Sequence, residues 1–164
     1  MRRLPQIFSA LIFFSLTAGA VQAQQVAFAG LRTDTSEPVE VTADSLDVNQ
    51  TDGNAIFTGN VVIIQGPLRL SAARVQVEYG SAEKKSISEL QASGGVTLVT
   101  ASEAAESRDA VYNVAAGSVV MTGDVLLTQG DNVLSGQRLD VDLKTGTGQM
   151  QGRVRTVLQP DQTP

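Results

Sequence analysis

Four copies of a Gly-x-Val motif, each inside a strand-length run with two-residue alternation, most limit what this chain can fold into. They are Gly59-Asn60-Val61, Gly94-Gly95-Val96, Gly123-Asp124-Val125 and Gly152-Arg153-Val154, spaced 35, 29 and 29 residues apart. Counting in twos from the first glycine gives Ala55, Phe57, Val61 and Ile63 in the first copy. The second copy gives Leu90, Ala92, Val96 and Leu98, and the third Val119, Met121, Val125 and Leu127. The fourth is weaker: Gly148, Met150, Val154 and Thr156. The intervening positions carry Thr58, Asn60, Ser93, Thr122, Asp124, Gln151 and Arg153. One face is apolar and the other mostly polar, the period of a half-buried strand. A glycine on the inward parity at the same place in every copy predicts a bend or a close approach of backbones.

A larger duplication underlies the motif. Residues 55–79 align without gaps on 119–143, with nine of 25 positions identical. The match extends into a second strand, LRLSAARVQVEY against NVLSGQRLDVDL. In both, the apolar phase slips by one residue, between Leu70 and Val75 and between Leu134 and Leu139. A bulge or corner near Ala73 and Gln137 keeps both halves facing one interior. A single repeat cannot bury its own apolar face, so the repeats must stack, as a β-solenoid or a folded-over open barrel. Such a stack has two ends, each an exposed strand edge.

The one stretch of helical composition, ASEAAESRDA at 101–110, is short and sits where the next strand should begin. It reads as a loop entering a strand at 110–114. Turns are expected at 49–54, 80–85 and 144–146.

The start of the chain reads as an export signal. Arg2 and Arg3 precede an apolar stretch, Ile7 to Leu16, and Val21-Gln22-Ala23 supplies small residues for cleavage after Ala23. The stretch falls short of the ~20 residues of a membrane-spanning helix. No cysteine follows it, which excludes a lipid-anchored lipoprotein. The expected organisation is a signal peptide at 1–23, a flexible segment at 24–37, one β domain at 38–158 and a flexible tail at 159–164. Export would place the mature chain in solution outside the cytoplasm.

Cysteine, histidine and tryptophan are all absent. That removes disulfides, thiolate and Ser-His chemistry, and histidine metal ligands. The mature chain keeps 10 of the 12 basic residues and all 17 acidic ones, so its net charge is 10 − 17 = −7. An acidic chain is a poor match for nucleic acid. Carboxylates are the remaining catalytic candidates, and Asp140 and Asp142 alternate with Leu139 and Val141 on the outward face. Asp44 and Asp47 lie near the start of the first unit. These read as a solvated face. Asn49-Gln50-Thr51 fits a glycosylation acceptor, a motif too short to be specific. What remains is a long apolar interior, which is either a closed core or a shelter for acyl chains.

SLDVNQTDGNAIFTGNVVIIQGPLRLSAARVQVEY at 45–79 resembles the first half of the OstA-like domain of periplasmic lipopolysaccharide-transport proteins, with Phe-Thr-Gly-Asn-Val at 57–61 its most specific run. MTGDVLLTQGDNVLSGQRLDVDL at 121–143 is similar to the second half. The resemblance covers about residues 38–158. It implies an all-β jellyroll folded like a taco, of stacked antiparallel strands with open ends. It also implies lipid A acyl chains held in the interior, with no cofactor and no enzymatic activity.

Carried over by position, the lipid-facing residues of the first unit are Val39, Val41, Leu46, Val48, Phe57, Val61, Ile63, Leu68, Leu70, Val75 and Val77. Later strands add Val96, Leu98, Met121, Val125, Leu127, Leu139 and Val141. The edges implied for head-to-tail assembly are Val39 and Val41 at one end and Val154, Thr156 and Leu158 at the other. The implied partners are lipopolysaccharide, further copies of the chain, an inner-membrane-anchored LptC-like protein and an outer-membrane LptD-like translocon. A structural or adhesive exported β-solenoid with a closed core is the alternative. A carbohydrate-active β-helix enzyme using the carboxylates is a third reading.

Overall fold

The computed structural model describes residues 25–27, 29–49, 54–80 and 86–158. The expected signal peptide at 1–23, most of the turns expected at 49–54 and 80–85, and the expected tail from 159 lie outside these residues. The described residues form one antiparallel sheet of eleven strands. They are β1 (Gln25–Ala27), β2 (Glu40–Thr42), β3 (Ser45–Asn49), β4 (Asn54–Gln65), β5 (Leu68–Tyr79) and β6 (Ile87–Val99). The remainder are β7 (Glu103–Asn113), β8 (Ser118–Gln129), β9 (Asn132–Asp142), β10 (Thr147–Gln151) and β11 (Arg155–Val157). From β4 to β10 every strand pairs with its sequence neighbour. At one end β2 and β3 share the edge of β4, and at the other β10 and β11 share the edge of β9.

The sheet folds over along a line of bulges. On each even strand from β4 to β8, two residues face one on its neighbours. Gly59-Asn60 lie opposite Ala73, Gly94-Gly95 opposite Ala73 and Arg108, and Gly123-Asp124 opposite Arg108 and Gln137. Both members of each pair have positive φ: +80° and +45° at Gly59 and Asn60, +84° and +51° at Gly123 and Asp124. Glycine enters this region without steric cost, and Asn and Asp tolerate it better than other side chains. The odd strands supply the single opposing residue, and there the buried parity slips, from Leu70 and Ala72 to Val75 and Val77 and from Leu134 to Leu139. The bulges expected near Ala73 and Gln137 are therefore present.

The inward placing of the motif glycines is corrected. Gly59 and Gly123 are half-exposed and Gly94 and Gly152 exposed, on the outside of the fold line. Close approach still selects glycine there: a Cβ on Gly94 would come within 2.8 Å of the Ala73 Cβ.

Two layers result, with the core between them. Val61, Ile63, Leu68, Leu70, Val96, Leu98, Val125, Leu127 and Leu134 line one layer; Val75, Val77, Leu90, Tyr112, Val119, Met121, Leu139 and Val141 line the other. Each is at most 4% exposed. At roughly 1.5–3 kcal/mol per fully buried large aliphatic side chain, this interior dominates the favourable side of folding.

The region expected as a loop at 101–110 is mostly strand. β7 starts at Glu103 and pairs with β6 and β8 on both sides of its bulge. Its inward positions before the fold line are Glu103, Ala105 and Ser107, polar or small, so the apolar alternation that marks the other strands is missing. The segment 24–37, expected to be flexible, contains short local structure among its described residues. β1 pairs with β10, Ala29–Leu31 make one 3-10 turn, and Leu31 is fully buried.

The apolar interior and the two open ends as candidate site

The sequence-derived inward residues divide by position along the stack. Val61, Ile63, Leu68, Leu70, Val75, Val77, Val96, Leu98, Met121, Val125, Leu127, Leu139 and Val141 are all buried. Val39, Val41 and Phe57 are half-buried against the same core. Leu46 and Val48 keep the inward parity, directly opposite Phe57 and Ala55, yet are 52% and 62% exposed. Directly opposed residues share a face of the sheet, so the interior surface runs out into solvent at this end. Among the described residues no strand lies beyond β3 to cover them.

The other end repeats the arrangement. Thr156 lies opposite the buried Leu134, and Val154 and Leu158 are 40% and 70% exposed. Among the described residues both ends of the stack thus present apolar side chains beside strand edges without a partner, that of β3 at one end and that of β11 at the other, where β1 covers only the neighbouring β10. Unpaired edges of this kind are templates for adding another strand.

Opposite the fold line the two layers come together at a mouth with polar rims. One rim holds Gln65, Thr100 and Glu103, all buried, and the other holds Tyr112 and Leu143. The Tyr112 hydroxyl donates to Gln65 Oε1 across the mouth. Burial pushes the Tyr112 hydroxyl up to about 12. Gln65 Nε2 donates to the carbonyls of Thr35 (3.1 Å) and Glu37 (2.8 Å), so the N-terminal segment lies directly over this pair. Glu103 Oε1 accepts from Gln129 Nε2 at 2.6 Å and from the Gly30 amide at 3.4 Å. Sequence reasoning missed Gln65, Glu103, Tyr112 and Leu31. The only signal was a polar residue on an inward parity, at Gln65 and at Glu103.

The carboxylates do not converge. Asp140 is held by the Arg138 guanidinium at 2.6 Å, and this contact raises the guanidinium above its usual value. Asp142 accepts from the backbone amides of Lys144 (2.8 Å) and Thr145 (3.0 Å), the Thr145 bond leading in holding its carboxyl below the usual range. Asp44 accepts from Asn60 Nδ2 at 2.8 Å on the fold line. Asp142 thus serves a turn, Asp44 the corner and Asp140 an ion pair along β9. Among the described residues no group of acidic side chains has metal-binding geometry.

Residues 40–147 match the family described as LptA/(LptD N-terminal domain) LPS transport protein. The chain belongs to that family. Among members of the LptA/LptD N-terminal family, the lipopolysaccharide export system protein LptA of Haemophilus influenzae is 29% identical over 88% of this chain and 90% of its own length. LptA of Escherichia coli K12 is 26% identical over 79% and 75%. A Rhizobium meliloti protein of no stated function is 32% identical over 89% and 85%. The crystal structure of Pseudomonas aeruginosa LptH superposes with a TM-score of 0.69, covering 78% of this chain and 99% of that one at 20% identity. It is described as the LptA-homologous periplasmic component of a lipopolysaccharide transport device, and it shares the LptA-type fold found here. The all-β jellyroll implied by the sequence is the observed architecture.

Proposed function

We propose that the mature chain is a periplasmic carrier and bridge for lipopolysaccharide. It shelters lipid A acyl chains between its two layers, leaving the sugars outside, and performs no chemistry on them. Copies join head to tail through the β2–β3 end and the β11 end. The row continues to an inner-membrane-anchored LptC-like protein on one side and an outer-membrane LptD-like translocon on the other. The observation that carries this reading is a single apolar interior reaching both open ends of the stack, at Leu46 and Val48 and at Val154 and Leu158. The names of the relatives support it.

The energetics fit such a role. A saturated chain of ~14 carbons costs roughly 10 kcal/mol to hold in water, at ~0.8 kcal/mol per methylene. An interior made of Val, Leu, Ile and Met offsets that cost without requiring a directional bond. Between the open ends the inward side chains are packed against one another, so loading requires the layers to part.

Purified mature protein is to be mixed with intact and with deacylated lipopolysaccharide and passed over a sizing column. Co-elution with the intact lipid only is the expected result. Equal retention of both would move recognition to the sugars and defeat the reading; retention of neither would favour a closed structural solenoid.

A further inference from the structure

Resting on that reading, we propose that residues 29–37 form a displaceable strap over the acyl-chain entry, with Leu31 holding the place a lipid methylene segment takes on loading. The entry is the mouth between the Gln65–Glu103 rim and the Tyr112–Leu143 rim.

Four observations carry this. The strap crosses from one rim to the other: the Gly30 amide reaches Glu103 Oε1 and the Thr33 amide donates to the Leu143 carbonyl at 2.9 Å. Gln65 then holds the Thr35 and Glu37 carbonyls. Second, Leu31 is fully buried in the same core as Leu98, Leu127 and Leu143. Third, the strap has no strand ladder between β1 and β2, unlike the core strands, which pair along both sides. It is anchored at separate points, so it can lift without breaking the sheet.

The fourth observation concerns what lies beneath. Gln65, Thr100 and Glu103 are the buried polar residues of this rim, and Thr100 Oγ1 and Glu103 Oε2 have no hydrogen-bond partner among the described residues. A buried polar atom without a partner is costly. Glu103 lies under the Gly30 amide, so lifting the strap gives its Oε2 to water. A polar rim over an apolar interior also suits a lipid whose chains enter while its headgroup stays wet.

The chain contains no cysteine, so a staple between strap and rim is unambiguous. Gly30 lies against Ser102 Oγ, on the turn between β6 and β7. The mature Gly30→Cys/Ser102→Cys protein is to be loaded with lipopolysaccharide, oxidised and reduced. Locking the strap should slow loading by about tenfold or more, because the competent fraction falls, and reduction should restore it. Equal loading in both states overturns the strap. If neither this protein nor the unaltered chain loads in any state, the lipid reading itself fails and the strap falls with it.

Leu31→Ser in the otherwise unaltered mature chain is the second arm, and it keeps the test decisive if the double variant is damaged. It should load several-fold faster than the unaltered protein. Unchanged or slower loading would make Leu31 a core residue only and overturn the proposal.

Discussion

Tyr112 and Gln65 join the two layers at the mouth through one buried hydrogen bond, the phenol donating to the amide oxygen, between residues 47 positions apart. The Gln65 amide nitrogen carries two further bonds to the strap, so a single side chain ties together both layers and the segment that crosses them. Removing the hydroxyl leaves a buried amide oxygen unpaired. Tyr112→Phe should lower stability by about 1–3 kcal/mol, read by urea unfolding. A neutral result would show that the bond is not formed in solution.

The same pair predicts an alkaline limit. Tyr112 in the folded chain keeps its proton to about 12, against 10.0 for an ordinary tyrosine. The folded state therefore binds the extra proton, and stability is complete below pH 10 and falls as pH rises from 10 to 12. Comparing unfolding free energies at pH 8 and pH 11.5, Tyr112→Phe should lose less than the unaltered chain does.

The fold line should be more sensitive than the surface turns. Gly94 has φ +84°, with the Ala73 Cβ 2.8 Å from where its own Cβ would stand. Gly130 has φ +57° and open space around it. Gly94→Ala should cost about 1–3 kcal/mol through backbone strain and displaced packing, and Gly130→Asn much less. Thermal denaturation of the two variants side by side decides this; equal losses would remove the corner's special role.

Asp142 closes the turn between β9 and β10, and its carboxyl sits below the usual 3.8 because backbone amides donate to it, that of Thr145 foremost. A lowered folded-state value means that its contribution is present above the unfolded value and lost as pH falls through the folded one. Asp142→Asn should melt at a lower temperature at pH 7, with the gap narrowing as the pH falls below 3.8. A gap independent of pH would assign the loss to geometry rather than charge.

The exposed end predicts an assembly phenotype. Leu46 and Val48 stand beside the free edges of β2 and β3. Leu46→Asp should leave the fold intact by circular dichroism and raise the concentration at which the protein self-associates in sedimentation, since a buried unpaired charge opposes docking. Unchanged self-association would place the joint elsewhere.

The legible parts of this molecule are those where side-chain chemistry repeats. Alternation around Val61, Val96 and Val125 marks the strands, and the phase slip between Leu70 and Val75 marks the bulge. β7 was not legible because Ala105 and Ser107 fill narrow inward positions without apolar bulk. The glycine parity pointed inward, but positive φ at Gly59 and Gly123 takes the chain out of simple alternation. Leu46 and Val48 had the correct face, but their exposure depends on β3 having no further neighbour among the described strands, which is a property of the stack and not of β3. Leu31 was not legible because it ends a short apolar run, Val26 to Leu31, that has neither polar–apolar alternation nor a place in the repeat. Its burial follows from where the segment crosses the mouth.

The central claim is that lipid occupies the space between the layers. A photo-activatable side chain at Leu70 or Val125, both buried on the inward face, is to be compared with one at Gln76 or Asp140 on the outward parity. The mature protein is illuminated in the presence of lipopolysaccharide. Adducts at Leu70 and Val125 and none at the outward positions are predicted. Adducts at Gln76 and Asp140 only, or at no position, would contradict it.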